Sequence, residues 1–130
     1  MGAKMQKISV KYAFKNNILC CGDNLHVMRR FPEECVDLVY IDPPFFSGKN
    51  YDMVFEDEWA LQAFSDTFTL TDEDKKKGLT KMDKYIAWMK PRIEQIHRVL
   101  KPTGSFYLHA DWHAGHYLKV MCDKIFGENN

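Results

Sequence analysis

The chain has no apolar stretch approaching the roughly 20 residues of a membrane span, and no apolar core follows the lysines of residues 1–10 to make a secretory signal. A membrane or secreted protein is therefore not expected, and the cytoplasm is the expected location. Net charge is also missing, because eighteen basic residues offset eighteen acidic ones. That excludes a global positive field able to draw nucleic acid unaided, so any DNA contact has to be local or come from further sequence. Cysteine is sparse: Cys20, Cys21, Cys35 and Cys122 form no CxxC pair and, without a secretory signal, read as reduced thiols. Cys20 and Cys21 are neighbours in an expected strand and point to opposite faces, so they do not share a metal. His113 and His116, with His109 nearby, are spaced to share a helix face. Without paired thiols beside them no metal site is expected. Glycine occurs only singly, at positions 2, 22, 48, 78, 104, 115 and 127, so no G-x-G phosphate-type loop is present.

What is present fits one globular unit: 130 residues, 45% hydrophobic and 14% aromatic. The most informative stretch is Asp42-Pro43-Pro44-Phe45, directly behind the apolar run of residues 36–41. Each proline fixes its own φ and pushes the residue before it into extended geometry, so Asp42 and Pro43 are held in place. Both prolines also lack a backbone donor. The segment therefore offers acceptors, namely the Asp42 carboxylate and the Asp42 and Pro43 carbonyls, next to the ring of Phe45. A planar NH2 group on an aromatic ring, such as a nucleobase amine, is the complement of that set. A proline-capped strand end is the plain alternative.

Along the chain, residues 18–21 read as a short strand closed by Gly22-Asp23, and a helix presenting Leu25, Met28 and Phe31 follows until Pro32 stops it. A second strand covers residues 36–42. Residues 45–80 read as a long loop, with an exposed, charge-dense segment at 71–77. Tyr85, Met89, Ile93, Ile96 and Leu100 return at helical spacing, giving a helix over 81–100 bent at Pro91. Lys101-Pro102-Thr103-Gly104 ends it, a third strand runs over 105–110, and a last helix occupies 114–126. Strands alternating with helices imply a parallel sheet of an α/β fold. Asp23, Asp42 and Asp111 would then share the carboxyl-end rim, where open α/β sheets bind ligands.

These segments, in this order, resemble the amino-terminal half of a β-class (permuted) S-adenosylmethionine-dependent DNA amino-methyltransferase, the group that includes type III and many type II modification enzymes. The resemblance rests on Leu19-Cys20-Cys21-Gly22-Asp23, on residues 36–45, on Ser47-Gly48-Lys49-Asn50-Tyr51, on Trp88-Met89 with Pro91-Arg92, on residues 98–105, on Tyr107-Leu108-His109 and on His116-Tyr117-Leu118-Lys119. Phe46 departs from it, standing where many relatives carry Asn. The glycine-rich cofactor loop and the target-recognition region, which follow this segment in the group, are not in the sequence. The resemblance implies a partial Rossmann-like methyltransferase fold forming a single partial catalytic domain over 1–130.

It also implies transfer of a methyl group from S-adenosylmethionine to the exocyclic amine of a flipped base in double-stranded DNA, adenine N6 more than cytosine N4. Asp42, Pro43, Pro44 and Phe45 are the implied catalytic residues: Asp42 and a proline-region carbonyl accept the two N–H protons, and Phe45 stacks on the base. Asp23 is the implied contact to the cofactor adenine, with helix capping as its alternative. Asp111 or His113 would line the base pocket or cap the last helix. The expected partners are DNA, held largely through regions not present here, and either a second copy or the remaining methyltransferase portion. The chain alone is expected to be inactive. An inactive partner-binding fragment and an N-methyltransferase acting on RNA or a protein amide remain the alternatives.

Overall fold

Every helix in the described part of the chain begins on a side chain that takes up its free N–H groups. The computed structural model describes residues 17–44, 46 and 68–130. Among these the order of elements is α1 (Asn24–Met28), β1 (Val36–Ile41), α2 (Asp72–Lys76), α3 (Lys81–Val99), β2 (Leu100–Leu108) and α4 (Trp112–Phe126). Asp23 caps α1 and Asp111 caps α4, while α2 and α3 each open on a reciprocal capping box, Thr71 with Asp74 and Thr80 with Asp83. Thr80→Ala is expected to lower stability by about 1 kcal/mol, the usual worth of such a cap, measured by denaturant unfolding.

The segment read as a loop over 45–80 therefore contains a helix, α2. Its charges organise it rather than keep it open: Thr71-x-x-Asp74 satisfies the first-turn donors, and Lys84 of α3 reaches Asp74 Oδ2 at 2.9 Å and the Thr69 carbonyl at 2.8 Å. The Lys84 contact, followed by the Thr71 hydrogen bonds, holds the Asp74 carboxyl well below the usual carboxylate range. Stability from such a depressed group is fully present above the ordinary value and is lost as pH falls through the folded one. Acid is thus expected to loosen α2 from α3 only below about pH 4, the unperturbed Asp value. Asp74→Asn should remove that step from an acid titration followed by amide exchange.

β1 and β2 are parallel, with Leu38 against Ser105, Val39 against Phe106, Tyr40 against Tyr107 and Ile41 against Leu108. Val36 pairs with Leu100, so the register breaks between Val36 and Leu38. The break absorbs Lys101-Pro102-Thr103-Gly104, the segment expected to form a turn, so β2 starts at Leu100 and ends at Leu108 rather than spanning 105–110. Gly104 is required there, because a Cβ would lie 2.8 Å from the Leu100 side chain. The turn into β1 is pinned as well: Glu34 sits at φ 49°, uncommon for a side-chain-bearing residue, and its N–H donates to the Arg98 carbonyl at 3.0 Å. α3 is continuous through Pro91 and passes directly into β2 at Leu100, and α4 starts at Trp112, two residues earlier than expected, because Asp111 supplies the cap.

Alternation along the strands divides the sheet into two unlike faces. Val39, Ile41, Phe106 and Leu108 pack against a core of Tyr85, Met89, Ile93, Ile96, Ala114, Leu118 and Met121 from α3 and α4. Leu38, Tyr40 and Tyr107 lie on the other face and are exposed. The strand expected at residues 18–21 is absent among the described residues, and Leu19 is 99% exposed. An apolar run becomes a strand only when an edge pairs with it, and among the described residues the sheet has two strands, not three. Parallel sheets are normally covered on both faces. With Leu38, Tyr40 and Tyr107 exposed, the chain is accordingly expected to self-associate through this face and to bind an apolar dye, and a dye-silent, strictly monomeric species by light scattering would contradict that.

Candidate functional site

β1 delivers Asp42 to the rim one residue past its last ladder position, and Pro43 and Pro44 follow at once. β2 ends alongside, since Ile41 pairs with Leu108 and the His109 N–H donates to the Ile41 carbonyl at 3.0 Å. His109 Nδ1 thereby comes within 3.1 Å of Asp42 Oδ1. Among the described residues the other carboxylate oxygen receives no hydrogen bond. Asp42, Pro43 and Pro44 line a cleft of about 330 Å³ together with Asn24, Trp88 and Arg92. Phe45, the fourth expected catalytic residue, lies outside the described residues.

The cleft is lined as well by Arg92, which is buried although charged. Its Nη2 donates to Asp23 Oδ2 at 2.7 Å, its Nη1 to the Trp88 carbonyl at 2.8 Å, and its guanidinium lies 3.7 Å from the centre of the Trp88 ring. Burial works against the Arg92 charge and Asp23 works for it, with burial the larger effect. Asp23 is doubly engaged, because its Oδ1 also accepts from the Leu25 N–H at 2.8 Å. Behind Trp88 stands an aromatic group in which Phe46, Phe68 and Tyr85 meet at centroid distances of 5.4 to 6.5 Å. Phe46, the position at which the sequence is read as departing from the resemblance, is thus anchored in this group. Burial, followed by the nearby Asp111 charge, pushes the Tyr85 phenol up to about 12.

The three rim acids therefore differ in what they do. Asp23 caps α1 and pairs with Arg92. Asp111 caps α4 through the N–H groups of His113 and Ala114 and contacts His113 Nδ1 at 2.9 Å. Among the described residues Asp42 caps no helix, and of the three acids it is the one that lines the cleft. Among the described residues no three His, Cys, Asp or Glu side chains converge as metal ligands, and no helix is long and apolar enough to cross a membrane. Burial pushes the Cys35 and Cys122 thiols up, which disfavours their thiolate forms.

A larger groove, about 450 Å³, runs between β2 and α4, but its lining is mainly apolar and its charged lining residues, Lys119 and Asp123, are paired with each other. It carries no acceptor set for an amine, so the smaller cleft at Asp42 is the candidate site. Two of its features were not read from the sequence. His109 enters the sequence reading beside the metal candidates and in the Tyr107-Leu108-His109 pattern but not as a partner of Asp42, because a strand drawn to residue 110 hides it inside the sheet. The parallel register of the two strand exits was the signal that would have found it. Arg92 entered only as part of a pattern, and its pairing with a residue 69 positions away has no local sign.

Residues 36–130 match the DNA methylase family of the N6/N4 type. The chain is 34% identical over 123 residues to the Mod subunit of the type III restriction-modification enzyme StyLTI from Salmonella typhimurium, covering 87% of the chain and 19% of that subunit. It is 31% identical to the DNA adenine methyltransferase YhdJ of Escherichia coli, over 81% of the chain and 28% of the relative. With the type II methyltransferase M.KpnI of Klebsiella pneumoniae it shares 30% identity, over 84% of the chain and 24% of that enzyme. The chain thus spans between about a fifth and about three tenths of the length of these relatives. With most of its length matched and the motif strand, proline pair and second strand inside the match, the chain belongs to the N6/N4 DNA methylase family.

Proposed function

We propose that this chain forms the acceptor-base side of a cytoplasmic, S-adenosylmethionine-dependent DNA methyltransferase acting on an exocyclic amine, adenine N6 in preference to cytosine N4. In this reading it is one partial catalytic domain of a Rossmann-like methyltransferase fold. The observation that carries it is the Asp42 carboxylate, set between a strand end and two prolines and lining the cleft, with Oδ2 free of hydrogen bonds among the described residues. The names of the similar proteins, all DNA methyltransferases or modification subunits, support it.

The amine of adenine is a poor nucleophile because its lone pair is delocalised into the ring. Two acceptors placed on its N–H protons hold the nitrogen pyramidal and stabilise the positive charge that grows there, an effect of position and electrostatics. Asp42 and the Pro43 carbonyl are the proposed acceptors. Once the nitrogen has taken the methyl that S-adenosylmethionine would supply, it would give up one of these N–H protons along its hydrogen bond to the Asp42 carboxylate, which would pass it to solvent. The target atom is unreachable inside a base stack, so the base is flipped out, and Phe45 is its proposed platform. Phe45→Tyr or Trp should keep most activity, while Phe45→Ala should weaken capture by about 1 to 3 kcal/mol, read from the fluorescence of 2-aminopurine at the target base.

S-adenosylmethionine supplies the electrophilic methyl. On this chain Asp23 fits it as a single acceptor: both oxygens are engaged, yet a carboxylate has roughly four lone-pair sites and the side chain is partly exposed, leaving room for an adenine amine. No glycine-rich turn accompanies it. The chain by itself is therefore expected to show no S-adenosylmethionine binding by calorimetry and no transfer of labelled methyl to DNA, and both should appear when it is joined to the glycine-rich portion. Transfer by the 130-residue chain alone would overturn this division of labour.

A further inference from the structure

The contact between His109 and Asp42 joins two strand exits at the acceptor cleft. An ionised carboxylate only accepts, so the 3.1 Å contact requires His109 Nδ1 to carry the proton. Both partners are more than half exposed, with side-chain exposures of 54% and 57%. A pair so exposed contributes little to folding. Its backbone setting is nevertheless tightly fixed: the His109 N–H bonds the Ile41 carbonyl, and Pro43 restricts Asp42 to extended geometry. The one freedom left to Asp42 is rotation of its side chain, and the imidazole N–H removes it by holding Oδ1.

We infer that His109 is a positioning residue for Asp42, holding Oδ1 so that Oδ2 faces the acceptor amine. This rests on the methyl-transfer reading above. At Nδ1 the role is one of positioning, because that nitrogen donates in the contact and has no lone pair to take a proton from the amine. It also explains why an exposed histidine stands at a strand exit whose neighbouring acid, Asp111, is occupied with starting a helix.

Two measurements test it. In the chain itself, nitrogen NMR of the imidazole should report the Nδ1–H tautomer for His109, and Asp42→Asn should shift that signal. A neutral His109 protonated on Nε2 alone would overturn the contact. In the complete methylating polypeptide, His109→Ala should lower kcat by on the order of 10²-fold, the scale of a displacement of about 1 Å, with KM for DNA and melting midpoint unchanged. His109→Asn, whose amide nitrogen replaces Nδ1, should recover most of the loss. Parental kcat in His109→Ala, with Asp42→Ala inactive, would overturn the inference and leave the methyl-transfer reading standing. Full activity in Asp42→Ala would overturn that reading instead, whatever the His109 tautomer.

Discussion

Asp42→Ala, made in the complete methylating polypeptide, is expected to abolish methyl transfer and to leave affinity for S-adenosylmethionine and the melting midpoint nearly unchanged. The carboxylate lies past the end of β1, more than half exposed, and caps no helix among the described residues, so little folding energy depends on it. Its partner His109 is comparably exposed and loses only a solvent-facing contact. What disappears is the acceptor aimed at the nitrogen on which charge develops, and losing one such contact costs about 3 kcal/mol or more, by analogy with oxyanion donors. Single-turnover transfer and cofactor titration on the same protein separate the two effects. Parallel loss of cofactor binding and turnover would make Asp42 a structural residue.

Asp42 was legible because its surroundings are local. An apolar run, a carboxylate and two prolines in succession specify a strand, its exit and a rigid turn without reference to the rest of the chain. The long helix and the last one were legible for the same reason, since their apolar stripes repeat within the segment. α2 was overlooked although its signature, Thr71-x-x-Asp74, was in view: a charge-dense run reads as loop unless the reciprocal cap is weighed against it. Residues 18–21 failed in the opposite direction. Their composition suits a strand, but a strand exists only with a neighbour, and pairing is set by parts of the chain far from the run itself.

The site shows the same division. The shared rim of Asp23, Asp42 and Asp111 follows from a parallel sheet, but sequence cannot say which of three acids is already employed. Two of them start helices, and that became visible only with the cap hydrogen bonds. The pairing of His109 with Asp42 depends on where β2 ends, and a shift of two residues in that boundary is enough to conceal it.

Arg92→Met is expected to lower stability by about 3 kcal/mol and to open the wall of the cleft. The substitution keeps much of the packing volume but removes the hydrogen bond to the Trp88 carbonyl, the stacking on the Trp88 ring and the only bridge from α3 to the Asp23 cap among the described ion pairs. Removing one partner of a buried ion pair costs about 3 to 5 kcal/mol, because the charge left behind is uncompensated. Here the remaining carboxylate is 41% exposed and still bonds the Leu25 N–H, which puts the effect at the low end. Asp23→Asn is the informative companion: asparagine still caps α1, so its cost isolates the charge that Arg92 requires in a buried place. Denaturant unfolding of both single variants and the double variant gives the coupling directly. Additive effects would show that Arg92 and Asp23 contribute separately, and that the link between α1 and the cleft wall runs through packing alone.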